Sequence, residues 1–131
     1  MSIQQTVVIT GANSGIGRST ALLLAAKGYE VFATMRSFAR GEKLRALAAE
    51  RELEITEIEL DVADEESVRK GFNEILEASD KVDVLVNNAG VGSNAAIEDI
   101  DMESAKRVFE ANFWGAIRCT QAVLPAMREQ R

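Results

Sequence analysis

The sequence predicts an α/β protein with three layers, in which a parallel sheet carries helices on both faces. Short apolar runs alternate four times with helical patterns, in the order βαβαβαβα. Such regular alternation is typical of parallel strands joined by right-handed helical crossovers. A glycine-rich segment, residues 10–17, lies between the first apolar run and the first helical pattern. Strand, glycine turn and helix in this order form the setting in which a turn can bind phosphate.

The four predicted strands differ in how much of their surface should be buried. The first is short and apolar on both faces, which is typical of a central parallel strand. The third alternates between apolar and polar residues, so we expect it to be more exposed. Gly28 should end the helix before the second strand, because glycine readily adopts the left-handed conformation found at helix C-termini. The predicted strands cover residues 7–10, 30–35, 54–60 and 82–86.

Polar residues mark the starts of the predicted helices. Asn13 or Ser14 can cap the first helix, and Asp64 caps the third, because their side chains accept hydrogen bonds from the open N–H groups there. Pro125 lies inside the last helical pattern, so we expect a kink or an early end at that position. The predicted helices cover residues 19–27, 39–50 and 101–128, with the third beginning at residues 64–66.

Length and composition predict one domain, residues 1–131, and exclude several classes of function. With 15 basic and 21 acidic residues the net charge is −6, which argues against nucleic acid or an anionic membrane surface as a partner. The chain has no histidine and a single cysteine, Cys119. A His/Cys metal cluster and an internal disulfide are therefore excluded. We expect no metal site, and we expect Cys119 to serve packing.

Nothing in the sequence predicts insertion into a membrane. No uninterrupted apolar run approaches the length that spans a bilayer. Residues 1–10 lack the basic start and the long apolar run of a signal peptide. We therefore expect a cytoplasmic protein.

Three further motifs follow predicted strands or lie in the last helix. Asp61-Val62 follows the third strand, and Asn-Asn-Ala-Gly at residues 87–90 follows the fourth. Both lie at the carboxyl ends of the strands, where ligands bind in open α/β sheets. Asn112 and Gly115 form an Asn-x-x-Gly pattern in the last helix. Taken singly, each motif also has an ordinary structural explanation as a turn, a helix-capping acid or a polar helix position.

Taken together, the four motifs resemble those of the classical short-chain dehydrogenase/reductase family: Thr-Gly-x-x-x-Gly-Ile-Gly, Asp-Val, Asn-Asn-Ala-Gly and Asn-x-x-Gly, in this order and at these intervals. The resemblance covers the whole chain but only about the first half of that family's domain. It implies a Rossmann-like (βα)4 half-domain that binds NAD(P), with strand order 3-2-1-4. A flavodoxin-like order, 2-1-3-4, stays open because it obeys the same crossover rule.

The resemblance also implies how a dinucleotide would bind. The three glycines of residues 11–17 would form the dinucleotide turn, with Ile16 beside the pyrophosphate. Asp61 and Val62 would contact the adenine ring. Asn87, Ala89 and Gly90 would support the sheet and border the ribose on the nicotinamide side.

The charge after the second strand favours NADP(H) over NAD(H). In NAD-binding relatives an acid ends this strand and accepts hydrogen bonds from the adenosine ribose. Here Met35 stands near that position and Arg36 follows; a guanidinium can bind a 2′-phosphate, and Ser37 can add a hydrogen bond. Arg18 and Arg40 rank lower as phosphate contacts. The residues expected to contact the cofactor are Gly11, Asn13, Ser14, Gly15, Ile16, Gly17, Arg36, Ser37, Asp61, Val62, Asn87, Ala89 and Gly90.

The catalytic set of the family is present only in part. Asn112 would be the Asn of its Asn-Ser-Tyr-Lys set, where it bends its helix and holds a water. The only tyrosine, Tyr29, is followed by Ala33 four residues later, so there is no Tyr-x-x-x-Lys. We therefore expect a truncated, cofactor-binding dehydrogenase that is inactive alone. Two alternatives stay open: an oxidoreductase of alcohols and ketones completed by another chain, or a non-enzymatic, self-associating module with a relict nucleotide loop.

An exposed half-sheet should favour association of the chain. In the order 3-2-1-4 the apolar strand at residues 82–86 forms an open edge, and the last helix lacks part of its packing surface. Open edges and apolar patches promote contacts between chains. We expect a homodimer or a higher oligomer through this edge, the last helix, or both.

Overall fold

A computed structural model describes residues 3–130 and shows one parallel sheet of four strands. The strands are β1 (Thr6–Ile9), β2 (Glu30–Met35), β3 (Ile55–Glu59) and β4 (Val84–Val86). Their order in the sheet is β3-β2-β1-β4. The predicted order 3-2-1-4 is therefore confirmed, and the flavodoxin-like alternative is excluded.

Strand β1 is central and fully buried, as its apolar sequence predicts. Val7 pairs with Val31 of β2 on one side and with Val84 of β4 on the other. In the described part of the chain, strand β3 pairs with β2 alone, and it alternates between exposed and more buried residues. This register brings the carboxyl ends of all four strands to one edge of the sheet.

Over residues 3–130, five α-helices surround the sheet, and the last predicted helix is divided. The helices are α1 (Gly15–Ala26), α2 (Glu42–Glu50), α3 (Glu65–Ser79), α4 (Met102–Phe109) and α5 (Gly115–Glu129), with short 3-10 turns at Phe38–Gly41 and Ile97–Asp99. A π-helical segment, Glu110–Trp114, joins α4 to α5. The expected early end at Pro125 does not occur, since α5 continues to Glu129.

Two helix starts differ in how they are capped. Asp64 accepts a hydrogen bond from the N–H of Ser67 at 3.0 Å, so its predicted capping role is confirmed. Helix α1 begins at Gly15, four residues before the predicted start, because the helix already includes the last two glycines of the turn. Ser14 precedes it in an extended conformation, and among the described residues its side chain makes no capping hydrogen bond. Of the two predicted capping residues, Ser14 and not Asn13 occupies the N-cap position, but the predicted side-chain hydrogen bond does not form.

Two apolar clusters, one on each face of the sheet, give the three predicted layers. Alternation along β1 sends Val7 and Ile9 to the face covered by α1 and α2, and Val8 to the face covered by α3 and α5. Cys119 of α5 belongs to the second cluster and is fully buried. Burial raises the pKa of its thiol to about 11, in keeping with a packing role.

Two charged side chains fix the opposite, amino-terminal edge of the sheet. Asp83 accepts a hydrogen bond from the N–H of Thr6 at 2.7 Å and pairs with Lys81 at 3.0 Å. The Thr6 N–H, more than the lysine, lowers the pKa of the Asp83 carboxyl below its usual value. The carboxylate thus links β1 to the residue before β4.

Within residues 3–130, no helix combines the length and the apolar character needed to cross a bilayer. The expected cytoplasmic location stays a prediction.

Candidate functional site

A cavity of about 860 Å³ lies at the carboxyl ends of the strands. It is bordered by the glycine turn, the ends of β2 and β3, the loop after β4 and one face of α4. The residues that line it are Gly11, Asn13, Ser14, Gly15, Ile16, Met35, Arg36, Arg40, Leu60, Asp61, Val62, Ala63, Asn88, Ala89, Gly90, Val91, Gly92, Ser93, Ser104, Arg107, Val108, Glu110 and Ala111. Polar and apolar groups are mixed along its wall, as in many small-molecule sites.

The three glycines of the turn have different structural roles. Gly11 has a φ of +62°, and a Cβ there would lie 2.8 Å from the Cα of Ala89. A Cβ on Gly17 would overlap with the carbonyl oxygen of Gly11 and the side chain of Asn88. Gly15 has a φ of +55°, and a Cβ there would meet no described atom within 4 Å. Gly11 and Gly17 therefore serve close packing, whereas Gly15 borders open space.

The N-terminus of α1 faces this cavity and is suited to an anion. Its first turn contains no acidic residue, and no side chain among the described residues caps it at Ser14. Its N–H groups and the positive end of the helix dipole are therefore available to a negatively charged group. Ile16 lies at the same place with 79% of its surface exposed, although it is apolar.

Thr10 joins the glycine turn to the loop after β4. Its hydroxyl accepts hydrogen bonds from the N–H groups of Asn88 at 3.0 Å and Ala89 at 2.9 Å. The Asn88 amide donates in turn to the carbonyl groups of Thr10 and Gly11, both at 3.1 Å. These bonds hold two walls of the cavity at a fixed separation.

The wall formed by Asp61 and Val62 is held by its own loop and by the helices beyond. Asp61 accepts a hydrogen bond from the N–H of Ala63 at 3.0 Å, and Val62 is buried. A Cβ on Gly115 would lie 2.8 Å from a methyl group of Val62. This contact explains why the Asn-x-x-Gly pattern requires a glycine at its last position.

A guanidinium group fixes the π-helical segment to the same wall. Arg118 donates to the carbonyl of Val62 at 3.1 Å and forms an ion pair with Glu110. Glu110 begins the π-helical segment and also lines the cavity.

Asn112 lies in the π-helical segment, where it contacts a loop instead of the cavity. Its side chain accepts a hydrogen bond from the N–H of Val91 at 2.7 Å and donates to the carbonyl of Val91 at 2.8 Å. Asn112 is not among the cavity-lining residues. Its amide thus holds the loop after β4, within a π-helical segment that interrupts the α-helix. The catalytic role that the resemblance implied for Asn112 stays a prediction.

The cavity brings together most of the residues expected to contact a cofactor. Three of them lie outside its lining: Gly17, Ser37 and Asn87. Gly17 is buried behind the turn, and the amide of Asn87 donates to the hydroxyl of Thr120 at 3.1 Å. The predicted residues at the cavity are Gly11, Asn13, Ser14, Gly15, Ile16, Arg36, Asp61, Val62, Ala89 and Gly90.

Sequence reasoning missed Asn88 and the wall formed by α4. Asn88 belongs to the Asn-Asn-Ala-Gly motif. Successive side chains of an extended segment point to opposite sides, so only one of Asn87 and Asn88 can face the cavity, and the motif does not say which. Ser104, Val108 and Ala111 recur at helical spacing on one face just before Asn112, so their shared face was a usable signal.

Two cations border the cavity beside the end of β2. Arg36 and Arg40 both line it and are exposed, whereas the side chain of Met35 is buried. Among the described residues, neither guanidinium takes part in an ion pair. This corner is therefore positively charged and carries no carboxylate at the end of β2.

The fold and the glycine turn together define a Rossmann-like α/β domain. A family model described as short chain dehydrogenase matches residues 5–131. The chain therefore belongs to the short-chain dehydrogenase family, and the resemblance of its motifs is confirmed.

Individual relatives extend this finding. Human retinol dehydrogenase 8 is 42% identical over 97% of this chain and 41% of its own length. A 3-ketodihydrosphingosine reductase of Bacteroides thetaiotaomicron is 35% identical over 97% of this chain and 44% of its own length. The chain thus spans less than half the length of these relatives.

Solved structures show the same fold. An alcohol dehydrogenase from the archaeon Thermococcus sibiricus, complexed with 5-hydroxy-NADP, has a TM-score of 0.89 at 35% identity, covering 97% of this chain and 55% of its own. A carbonyl reductase from chicken fatty liver with bound NADPH has a TM-score of 0.85 at 28% identity, covering 94% and 51%.

Proposed function

We propose that this chain binds NADP(H) as the cofactor-binding part of a short-chain oxidoreductase that interconverts alcohols and carbonyl compounds. One observation carries the proposal. The uncapped N-terminus of α1 and the two arginines beside β2 face the same cavity, at the carboxyl edge of the sheet. A dinucleotide with a phosphate on its adenosine ribose requires anion sites at both places.

The residues that line the cavity are suited to the adenosine and the pyrophosphate of such a cofactor, and to the ribose on its nicotinamide side. The open space over Gly15 leaves room for the pyrophosphate beside the α1 N–H groups. Asp61 and Val62 form the adenine wall. Ala89 and Gly90 border the nicotinamide side. When bound, the cofactor supplies or accepts the hydride, and these residues hold and orient it.

Charge favours the phosphorylated cofactor. A guanidinium binds a phosphate through paired, charge-assisted hydrogen bonds, and a carboxylate at the end of β2 would repel it. Arg36 follows β2 directly and lines the cavity. Arg40 also lines it, although the sequence favoured Arg36 over Arg40 as the phosphate contact. Ser37 does not line the cavity, so its contact with the phosphate stays a prediction. The NADP and NADPH complexes among the structural relatives support the same choice.

We propose that the 131-residue chain does not turn over substrate by itself. Tyr29, its only tyrosine, directly precedes β2 and so lies at the edge of the sheet opposite the cavity. The side chain of Asn112 is engaged with Val91 and contributes by holding the loop after β4. A Ser, a Tyr and a Lys from another part of the complete enzyme, or from another chain, would supply the proton transfer.

We also propose that the chain self-associates through one helical face and the β4 edge. Large apolar side chains are exposed along α4, the π-helical segment and α5: Phe109, Phe113, Trp114, Ile117 and Leu124. Among the described strands, β4 borders only β1, and Val84 is 36% exposed. Both features favour contacts between chains. Light scattering coupled to gel filtration tests this proposal, and a monomer at micromolar concentration contradicts it.

Calorimetric titration of the purified chain with NADPH and with NADH tests the cofactor proposal. We expect tighter binding of NADPH, and an Arg36→Leu variant that loses about tenfold in NADPH affinity while binding NADH as before. Arg51→Leu, which removes an exposed cation away from the cavity, is the matched control. Equal affinity for the two cofactors, or no binding of either, contradicts the proposal.

A further inference from the structure

The 3-10 turn at Phe38–Gly41 follows Arg36, contains Arg40, and is anchored from outside the cavity. Arg45 of α2 donates from its Nε to Glu57 of β3 at 2.8 Å, and its terminal nitrogen donates to the carbonyl of Phe38. One guanidinium therefore joins the start of the turn to the sheet. Neither Arg45 nor Glu57 lines the cofactor cavity.

The end of the same turn is packed onto the same carboxylate. Gly41 is buried, and a Cβ there would overlap with Glu57 and lie 2.6 Å from the sulfur of Met35. Met35 directly precedes Arg36, so the side chain before the first arginine packs against the backbone just after Arg40. The two cavity-lining arginines are thus held by one anchored loop.

Stability alone does not explain the carboxylate at this position. The side chain of Glu57 is only 14% exposed, and one of its oxygens is buried without a hydrogen-bond partner among the described residues. Burying a charged group that is only partly paired costs free energy, and an apolar residue would avoid that cost. The Glu57 carboxylate does, however, orient the guanidinium of Arg45 and pack directly against Gly41.

We propose that Glu57 and Arg45 form a positioning pair that sets the preference for a 2′-phosphate by holding the loop with Arg36 and Arg40. This inference rests on the proposed binding of NADP(H). A loop ordered before binding loses less conformational entropy when its arginines meet a phosphate. The pair therefore acts on the phosphorylated cofactor and leaves the rest of the dinucleotide site unchanged.

Binding of NADPH and NADH to Glu57→Gln and Arg45→Met variants tests the pair. We expect each variant to lose about fivefold in NADPH affinity with NADH affinity unchanged, and the double variant to lose no more than either single one. Arg45→Lys is a milder substitution because it keeps the positive charge, and we expect an intermediate loss of NADPH affinity. Arg69→Met is the matched control, since it removes an exposed arginine paired with Glu66 on α3.

The outcomes separate this inference from the function on which it rests. A wild-type chain without a preference for NADPH overturns the proposed function and the positioning role together. A wild-type preference that the variants retain, or an equal loss for both cofactors, overturns the positioning role alone. A selective loss of NADPH affinity in well-folded variants supports it.

Discussion

Asn112 and Val91 hold each other through two reciprocal hydrogen bonds, of 2.7 and 2.8 Å, between a side-chain amide and a backbone peptide. One residue lies in the π-helical segment and the other in the loop after β4. The loop lines the cavity along residues 88–93; Thr10 holds its start, and Asn112 holds it at Val91. A side-chain amide accepts from the N–H through its oxygen and donates to the carbonyl through its nitrogen, whereas a carboxylate can only accept.

Replacing Asn112 by Asp should loosen the loop. A carboxylate still accepts the Val91 N–H, but its second oxygen faces the Val91 carbonyl and repels it. We expect a loss of about 1–2 kcal/mol in the free energy of unfolding and faster amide exchange at residues 90–93. Urea denaturation and hydrogen exchange measure the two effects. Asn73→Asp, at an exposed position of α3, is the control and should change little; equal losses in both variants contradict the role of Asn112.

Removing the hydroxyl of Thr10 should lower the stability of the fold far more than removing that of Thr34. Thr10→Val leaves the N–H of Ala89 without its acceptor and the N–H of Asn88 with the carbonyl of Val86 alone, and we expect a loss of about 2 kcal/mol in stability. The hydroxyl of Thr34 is buried and has no hydrogen-bond partner among the described residues. Thr34→Val should therefore be neutral or stabilising. Thermal unfolding of both variants tests this contrast, which similar losses would refute.

Substitutions at two glycines of the turn should affect different properties, one mainly the stability of the fold and the other mainly cofactor binding. Gly17→Ala places a methyl group against the Gly11 carbonyl and Asn88, so we expect a loss of about 3 kcal/mol in the free energy of unfolding. Gly15→Ala meets no described atom, and its positive φ costs only about 1 kcal/mol.

The same Gly15→Ala methyl group enters the space proposed for the pyrophosphate, so NADPH binding should fall at least about tenfold. Urea denaturation and calorimetric titration measure the two properties. Unchanged binding in Gly15→Ala would contradict the placement of the pyrophosphate over this glycine.

Acid should weaken the link between Thr6 and Asp83. Because the Thr6 N–H lowers the pKa of this carboxyl in the folded chain, the ionised form stabilises the fold above the ordinary value of 3.8. That stabilisation is lost as the pH falls through 3.8 towards the lower folded value. Asp83→Asn should therefore be less stable than wild type at pH 7, with the difference shrinking below pH 4. Urea denaturation across this range tests it; a constant difference shows that another group is responsible.

Much of the fold follows from local sequence features. The apolar run at β1, the alternation at β3 and the Asp64 cap each reflect a short-range preference. The division of the last helix was harder to predict, because a π-helical segment keeps nearly the same apolar periodicity as an α-helix. Its position depends on distant contacts, with Val62 packed on Gly115 and Arg118 reaching the Val62 carbonyl.

The site was predictable where backbone geometry demands a particular residue. Gly11 and Gly17 must be glycines to allow close approach, and the sequence displays them directly. The roles of Asn87 and Asn88 could not be separated, because a one-residue shift at the end of β4 exchanges which side chain turns inward. The Arg45–Glu57 pair was invisible for a different reason, since its members come from separate elements that only the fold brings together.

The central position of β1 has a consequence for the order of folding. The two neighbours of β1 differ in sequence separation. Its partners in β2 lie about 24 residues further along the chain, whereas the partner of Val7 in β4 is Val84. Closing the shorter loop costs less entropy, so β1, β2 and β3 with their helices should assemble before β4 docks. The hydroxyl of Thr10 gains its partners only at that last step. The cavity is therefore completed last. A cofactor bound there would stabilise the state in which β4 has docked over the states in which it has not.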